Sequence, residues 1–414
     1  MVKFKNWLKI MGPGLLMAGA AIGVSHIVQS TRAGASYGFQ LLFVIILANF
    51  LKYPFFEFGH RYAVATGQNL LHGYKKMGKV FLMGFFFLNL ITSIGTMAGV
   101  SFVTGALAYN LFGQSLTVTI WSGIVLFVCS LILIIGHYKI LDQLMKAIMV
   151  LLFVATLTAF VVALINGPVA PSGHINPSAF DISVLPFLMA LMGWMPAPVE
   201  TSVWQSLWVQ AKNRTEHKTM SWRDAKLDFN FGYISTAIMA VIFLSLGALV
   251  MNGSGLEFSN SGGEFAGQVV SLYTQNLGSW SKPIIAFAAF STMFSTTLTC
   301  FDAYPRSLTA AFELIWDKVK VTDRRIYYFW LVWTGLGAFI VLSFYVRNLK
   351  TLVDFVTTAA FLTAPIFAIM NYNLIFSDHL PIEFKPNIFI RVLCWLGITY
   401  LLSFSGLYLY NLIF

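Results

Sequence analysis

Two hydrophobic segments of this chain are each interrupted by helix-breaking residues near the middle of an apolar stretch. Residues 11–26 contain Gly12-Pro13-Gly14 and Gly23, and residues 188–200 contain Gly193, Pro196 and Pro198. In lipid, a broken helix exposes backbone N–H and C=O groups that hydrocarbon cannot satisfy. Each interruption must therefore be buried in protein or line a water-filled cavity.

The composition is that of an integral membrane protein. Hydrophobic residues make up 58% of the 414 residues, charged residues only 10%, and the mean hydropathy is +0.76, whereas soluble domains carry about 25% charged residues. The three cysteines, Cys129, Cys300 and Cys394, lie inside apolar stretches. We interpret them as small hydrophobic side chains and not as disulfides or a metal cluster.

Eleven apolar stretches approach or exceed the roughly 20 residues that a membrane span needs. Of the 26 Lys and Arg residues, 21 fall in loops on the side of the N-terminus and three on the other side. The positive-inside rule then predicts a cytoplasmic N-terminus, and the odd number of spans places the C-terminus outside. The net charge of +10 therefore reflects topology and contact with anionic lipid, not binding of nucleic acid. The predicted spans are residues 10–32, 38–58, 80–110, 117–136, 143–165, 183–210, 230–251, 281–304, 326–346, 351–376 and 389–412.

The two interruptions fall in spans 1 and 6, which enter the membrane from opposite sides. This arrangement predicts one transmembrane domain (residues 1–414) made of two inverted five-helix repeats, at about 10–165 and 183–376, with an extra helix at about 389–412. Paired broken helices of this kind are typical of the central binding site of secondary transporters. We expect the outer loops 167–181 and 252–282 to be solvated connectors, because they are rich in Gly, Ser, Pro and Asn.

Several motifs resemble the Nramp family of divalent-metal transporters. The resemblance implies an all-α integral membrane protein with a LeuT-like inverted repeat, and it is strongest over the first third of the chain. It rests on Gly12-Pro13-Gly14-Leu15-Leu16, the segment 33–42 (AGASYGFQLL), the segment 65–70 (ATGQNL), Asn110-Leu111-Phe112-Gly113 and Met195-Pro196.

The chain departs from this family at the positions that the resemblance assigns to the metal. The family's Asp-Pro-Gly-Asn motif aligns with Gly23, Val24, Ser25 and His26, so its metal-binding Asp is absent. What remains is Met195 and the backbone carbonyl of Met192. Other family residues are also replaced: two His by Ala197 and Ser202, an acidic pair by Met97 and Val100, and a Gln by Thr363.

We expect His26, Met195 and Glu200 to be the metal ligands, within a substrate site that also includes Gly23, Ser25, Met192 and Thr363. Imidazole suits transition metals, and a titratable group in a span is a candidate functional residue. Each has a structural alternative: His26 could bond a free carbonyl, Glu200 could sit at a helix N-terminus for its dipole, and Met195 could fill a gap.

A second set of polar residues, Thr296, Thr299 and Asp302, offers hard oxygen ligands for a coupling ion such as Na⁺. The alternative for Asp302 is an ion pair with Arg306, four residues on. We interpret Lys52, Glu57 and Arg61 as a salt-bridged gate or anchor.

The predicted function is secondary active transport of divalent metal cations by alternating access. No phosphate-binding loop, Ser-His-Asp arrangement or zinc signature is evident, so we expect neither an enzyme nor a cofactor. The expected partners are the metal substrate and membrane lipid, with a monomer compatible with the sequence. Two alternatives stay open: a LeuT-fold transporter of Mg²⁺ or a small organic solute, with or without Na⁺ coupling, and a non-transporting receptor or scaffold.

Overall fold

The computed structural model describes residues 11–136, 139–217, 219–316, 324–346 and 348–414, with side chains left out for 139–149. In these ranges every regular element is helical. The α-helices are α1 Pro13–Ala21, α2 Thr31–Tyr37, α3 Leu42–Thr66, α4 Leu70–Met77, α5 Lys79–Phe112, α6 Val118–Ile135, α7 Lys139–Asn166, α8 Leu185–Gly193, α9 Thr201–Thr215, α10 Trp222–Val250, α11 Gly262–Leu277, α12 Lys282–Ile315, α13 Arg324–Phe344, α14 Leu349–Phe376 and α15 Ile388–Ile413.

The helices confirm a multi-pass membrane protein. Within the described ranges, eight helices are long and apolar enough to cross a membrane, and a ninth crossing is formed by the bent pair Pro13–Ala21 and Ser25–Tyr37. The other two predicted spans correspond to the shorter apolar helices Val150–Asn166 and Ile182–Gly193. The second of these continues past its interruption as α9, so the two interrupted segments are the two broken spans.

Polar capping residues mark where several of these helices begin. The side chains of Thr117, Ser221, Asn348 and Asn387 each accept a hydrogen bond from a backbone N–H in the first turn of the helix that follows. Such caps satisfy N–H groups that have no partner inside the helix. The capped starts of α6, α14 and α15 lie close to the starts of the predicted spans, whereas α10 begins at Trp222, well before the predicted span 230–251.

Helix α10 packs against both halves of the first broken span through glycines. A Cβ on Gly14 would collide with the Asp228 carbonyl, and one on Gly232 with the Gly14 carbonyl. A similar close contact occurs at the other end of the first broken span, where a Cβ on Gly34 would collide with the Leu244 carbonyl of α10. Small residues let membrane helices approach to backbone contact, so α10 acts as the support on which the first broken span is held.

One predicted connector is wrong in part. Loop 252–282 contains the helix α11, whose residues Phe265, Val269 and Leu272 are buried against the bundle. The Gly- and Ser-rich flanks of this stretch obscure an apolar face with helical spacing. The short helix α4 lies between the second and third predicted spans, outside every predicted span.

Candidate functional site

The first break lies between α1 and the π-helical turn Ser25–Ser30, where the two helical pieces bend by 46°. The hydroxyl of Thr296 on α12 donates to the carbonyl of Gly19 at 2.8 Å and lies 3.4 Å from the carbonyl of Ile22. A Cβ on Gly23 would press against the Thr296 side chain. Thr296 therefore satisfies backbone groups that the break sets free.

The second break is the non-helical segment 194–200, between α8 and α9. It contains a cis peptide bond between Met195 and Pro196. The ammonium of Lys52 on α3 donates to the carbonyls of Met192 at 3.1 Å, Gly193 at 3.1 Å and Ala197 at 3.2 Å. Three backbone carbonyls at this break are thus gathered around one buried cationic group.

The structure brings the two breaks into contact in the interior of the bundle. The Ser25 hydroxyl lies 3.4 Å from the carbonyl of Pro196. Ser25, His26, Met195 and Glu200 are all buried. The predicted pairing of the two interrupted segments at one central site is therefore a feature of the fold.

His26 lies at the first break with both ring nitrogens bonded. Nε2 is 2.9 Å from the carbonyl of Thr236 on α10, and Nδ1 is 2.7 Å from the Ser25 hydroxyl. A carbonyl only accepts, so Nε2 carries a proton. The Ser25 hydroxyl also lies 3.0 Å from the Ala21 carbonyl, so its single proton is shared between Nδ1 and that carbonyl. A metal could be ligated by His26 only after one of these two bonds is released.

Glu200 ends the second break and has one oxygen without a protein partner. Its Oε1 accepts from the Tyr304 hydroxyl at 2.8 Å and the Thr92 hydroxyl at 3.0 Å. Its Oε2 is buried and has no hydrogen-bond partner in the described part of the chain. A buried carboxylate oxygen without a partner is costly, which makes this oxygen the natural acceptor for a cation or a proton.

Other predicted site residues make their hydrogen bonds away from the two breaks. The Thr299 hydroxyl donates to the Ser295 carbonyl, and the Thr363 hydroxyl donates to the Ala360 carbonyl. Asp302 is held by Arg306 at 2.7 Å and by the Tyr327 hydroxyl at 2.8 Å. Of the predicted coupling-ion set, only Thr296 contacts a break in this structure.

Asp302 instead lines a polar cavity of about 580 Å³. The cavity lies at the end of the bundle that carries Arg214 and Arg324, called here the basic face. No group of three or more His, Cys, Asp or Glu side chains with metal-binding geometry occurs in the part of the chain that the structure describes. A metal at the breaks would therefore depend on mixed ligands, including a thioether and backbone carbonyls.

Sequence reasoning missed the contacts that close the two ends of the first broken span. Away from the basic face, Arg32 makes a bidentate pair with Asp354 on α14, at 2.6 and 3.1 Å, and Gln29 donates to the same carboxylate. The Arg32 guanidinium also lies 5.0 Å from the centre of the Phe187 ring on α8. These contacts tie α2 to α14 and α8.

At the other end, Asp228 on α10 holds the start of α1. Its two carboxylate oxygens accept from the backbone N–H groups of Gly12 and Gly14, each at 2.8 Å. His60 Nε2 lies 3.5 Å from the same carboxylate. These groups are hundreds of residues apart in sequence, and no local motif signals the contact.

The anticipated salt bridge on α3 is confirmed only between Glu57 and Arg61, which pair at 2.6 Å. Lys52 does not join them, because its ammonium points to the second break. The sequence marks Lys52 as a candidate functional residue, because a lysine in the middle of an apolar span is rare. It does not indicate the contact with the second break.

Comparison with known proteins places these features in a family. The model of the "Natural resistance-associated macrophage protein-like" (Nramp) family matches residues 14–411. The chain belongs to the Nramp family. It is 39% identical over 406 residues to an uncharacterized protein of Pasteurella multocida, covering 96% of this chain and 91% of that protein. It is also 35% identical, over only 65 residues, to the divalent metal cation transporter MntH of Chromohalobacter salexigens, covering 16% of this chain and 15% of that protein.

Solved structures agree with the predicted fold. A crystal structure of a mutant manganese transporter of Eremococcus coleocola superposes with a TM-score of 0.69 at 13% identity, covering 97% of this chain and 86% of that chain. MhsT in complex with L-phenylalanine superposes with a TM-score of 0.59 at 14% identity, covering 95% of this chain and 98% of that chain. The all-α, LeuT-like architecture predicted from the sequence is confirmed.

Proposed function

We propose that this Nramp-family protein is a secondary transporter that moves divalent metal cations across the membrane. The observation that carries the proposal is the meeting of the two breaks, at the Ser25–Pro196 contact, inside a bundle of this family. Broken helices at the centre of a transporter present backbone groups and helix ends to an ion. The divalent metal cation transporter MntH and the manganese transporter, to which the chain is similar, supply the class of substrate.

The proposed ligands are His26, Met195 and Glu200. A thioether and an imidazole favour transition metals over Mg²⁺ and Ca²⁺, and a carboxylate supplies the negative charge that a buried dication needs. Glu200 Oε2 is unpartnered and available, whereas His26 must first release Thr236 or Ser25. The rest of the proposed substrate site is formed by Gly23, Ser25, Met192 and Thr363, and the proposed coupling-ion ligands are Thr296, Thr299 and Asp302.

Transport by alternating access requires the two ends of the first broken span to open in turn. The Arg32–Asp354 pair closes one end and the Asp228 contacts close the other. Both are formed in this structure, and the residues at the breaks are buried. Opening at the Asp228 end would expose the site to the basic face, which we propose to be cytoplasmic, with the N-terminus inside and the C-terminus outside.

The test is uptake of Mn²⁺, Mg²⁺ and Ca²⁺ into proteoliposomes that contain the purified protein. We expect saturable Mn²⁺ uptake in the wild type, and a loss of selectivity for Mn²⁺ over Ca²⁺ in Met195→Leu. Met83→Leu, which changes an exposed methionine on α5, is the matched control and should behave as wild type. Folded wild-type protein that carries none of the three metals would refute the proposal.

A further inference from the structure

Lys52 places a fully buried ammonium group in the middle of the membrane bundle. Its Nζ is bonded to three backbone carbonyls, those of Met192, Gly193 and Ala197, at 3.1 to 3.2 Å. An ammonium has three N–H donors and no acceptor, so its hydrogen-bonding capacity is fully used by this break. The side chain has no accessible surface.

The backbone carbonyls around this ammonium would attract any cation. Met192 and Gly193 form the last turn of α8, and a helix C-terminus carries partial negative charge on its unsatisfied carbonyls. Ala197 adds a carbonyl from the far side of the break. In transporters, carbonyls freed by unwound helices coordinate the transported or coupling cation.

The surroundings of Lys52 give it no ion-pair partner. Within the described ranges, no carboxylate forms a salt bridge with its Nζ, and Glu57, five residues along α3, is bonded to Arg61. The centre of the Phe56 ring lies 5.9 Å from the Nζ. The carbonyls of the break therefore bind the Lys52 ammonium in the way that they would bind a free cation.

We propose that Lys52 is a tethered cation, which fills the carbonyl part of the substrate site in the empty transporter and is displaced when a divalent cation enters. This inference rests on the proposed function. The carbonyls of Gly193 and Ala197 lie on either side of Met195 in sequence, and a dication that used them together with the Met195 thioether would take the position that the ammonium occupies. Like charges at short range in a poorly solvated interior repel strongly, so the two cations exclude each other.

Displacement makes Lys52 a determinant of metal affinity. If a site is free to bind metal for only a fraction of the time, its apparent affinity is its intrinsic affinity multiplied by that fraction. If the ammonium occupies the carbonyls at least nine-tenths of the time, its removal should tighten metal binding by roughly tenfold or more. A purely structural lysine predicts the opposite sign, because its loss would leave the carbonyls of Gly193 and Ala197 unsatisfied and loosen the site.

The experiment measures Mn²⁺ binding to the purified full chain by the electron paramagnetic resonance signal of free Mn²⁺. The variants are Lys52→Met, which removes the charge at similar length, and Lys52→Gln, which removes the charge but keeps two N–H donors. Lys226→Met, on the exposed surface of α10, controls for the change in net charge. Each variant is first shown to be folded by monodisperse elution and a cooperative thermal transition, and wild-type uptake of Mn²⁺ is measured in parallel.

We expect Lys52→Met and Lys52→Gln to bind Mn²⁺ at least about tenfold more tightly than wild type, and Lys226→Met to match wild type. Unchanged or weaker binding in the Lys52 variants, with wild-type uptake intact, overturns the role of Lys52 and leaves the proposed function standing. Tight binding in the Lys52 variants with no wild-type uptake supports the tethered cation and refutes transport. If no protein binds Mn²⁺, or if neither Lys52 variant folds, the tethered cation is refuted.

Discussion

Asp228→Asn should release the start of the first broken span and open the transporter at the basic face. Asp228 is buried, and its two oxygens accept the backbone N–H groups of Gly12 and Gly14, each at 2.8 Å. The helix that begins at Pro13 has no side-chain cap of its own, so the carboxylate on α10 satisfies part of its free N-terminal N–H groups.

The magnitude follows from the loss of one of these two bonds. A hydrogen bond to a charged group contributes about 1.5–3 kcal/mol, and the substituted amide keeps one acceptor but turns an NH₂ group toward the other backbone N–H. With the favourable charge at the helix N-terminus also removed, we expect a net change of about 2–3 kcal/mol. Since 1.4 kcal/mol is tenfold, the population with α1 detached should rise roughly 30- to 140-fold.

The assay follows the reaction of a cysteine at position 17 with N-ethylmaleimide, in a background whose other cysteines are alanine. Met17 is 1% exposed in this structure, so Met17→Cys should react only when α1 swings away. Asp224→Asn, one turn away on the same helix, is the control and should react at the parent rate. An unchanged rate in folded Asp228→Asn would show that the carboxylate does not hold α1.

Three further changes test the site and its packing. Glu200→Gln should lower the rate of Mn²⁺ uptake at least about tenfold, because the buried charge that meets the metal is worth about 1.5–3 kcal/mol; an uptake rate equal to wild type would remove Glu200 from the site. Gly14→Ala should lower the free energy of unfolding by about 1–3 kcal/mol, because its Cβ would collide with α10. Gly84→Ala is the control, since Gly84 has open space around it, and should leave the free energy of unfolding unchanged. Equal thermal transition temperatures of the two variants in detergent would contradict this. Arg32→Gln and Asp354→Asn should affect uptake non-additively in a double-mutant cycle, because each removes the same ion pair; additive effects would mean that the pair does not act as a unit.

The parts of this fold that the sequence predicts are those governed by local rules. A span must be long, apolar and internally hydrogen-bonded, so the spans and the two interruptions are visible in the residues themselves. The same holds for the Asp302–Arg306 pair, which lies four residues apart on one helix face. The helix α11 escaped prediction because its apolar face is framed by Gly- and Ser-rich turns.

The contacts that define the site are long-range, and the sequence offers no rule for them. Lys52 meets a carbonyl 140 residues away, Gly12 meets Asp228 216 residues away, and Arg32 meets Asp354 322 residues away. Each involves a charged group in or near an apolar span, which marks it as functional without naming its partner. Only the packing of α3, α10 and α14 around the broken spans decides which groups meet.

The most direct test of the account is the location of the metal. Crystals of the protein soaked in Mn²⁺, with diffraction recorded at the manganese absorption edge, would reveal the ion by its anomalous signal. We predict a peak between the two breaks, from an ion bonded to the Met195 thioether and to Glu200. A peak confined to the basic-face cavity beside Asp302, with none at Met195, would contradict it.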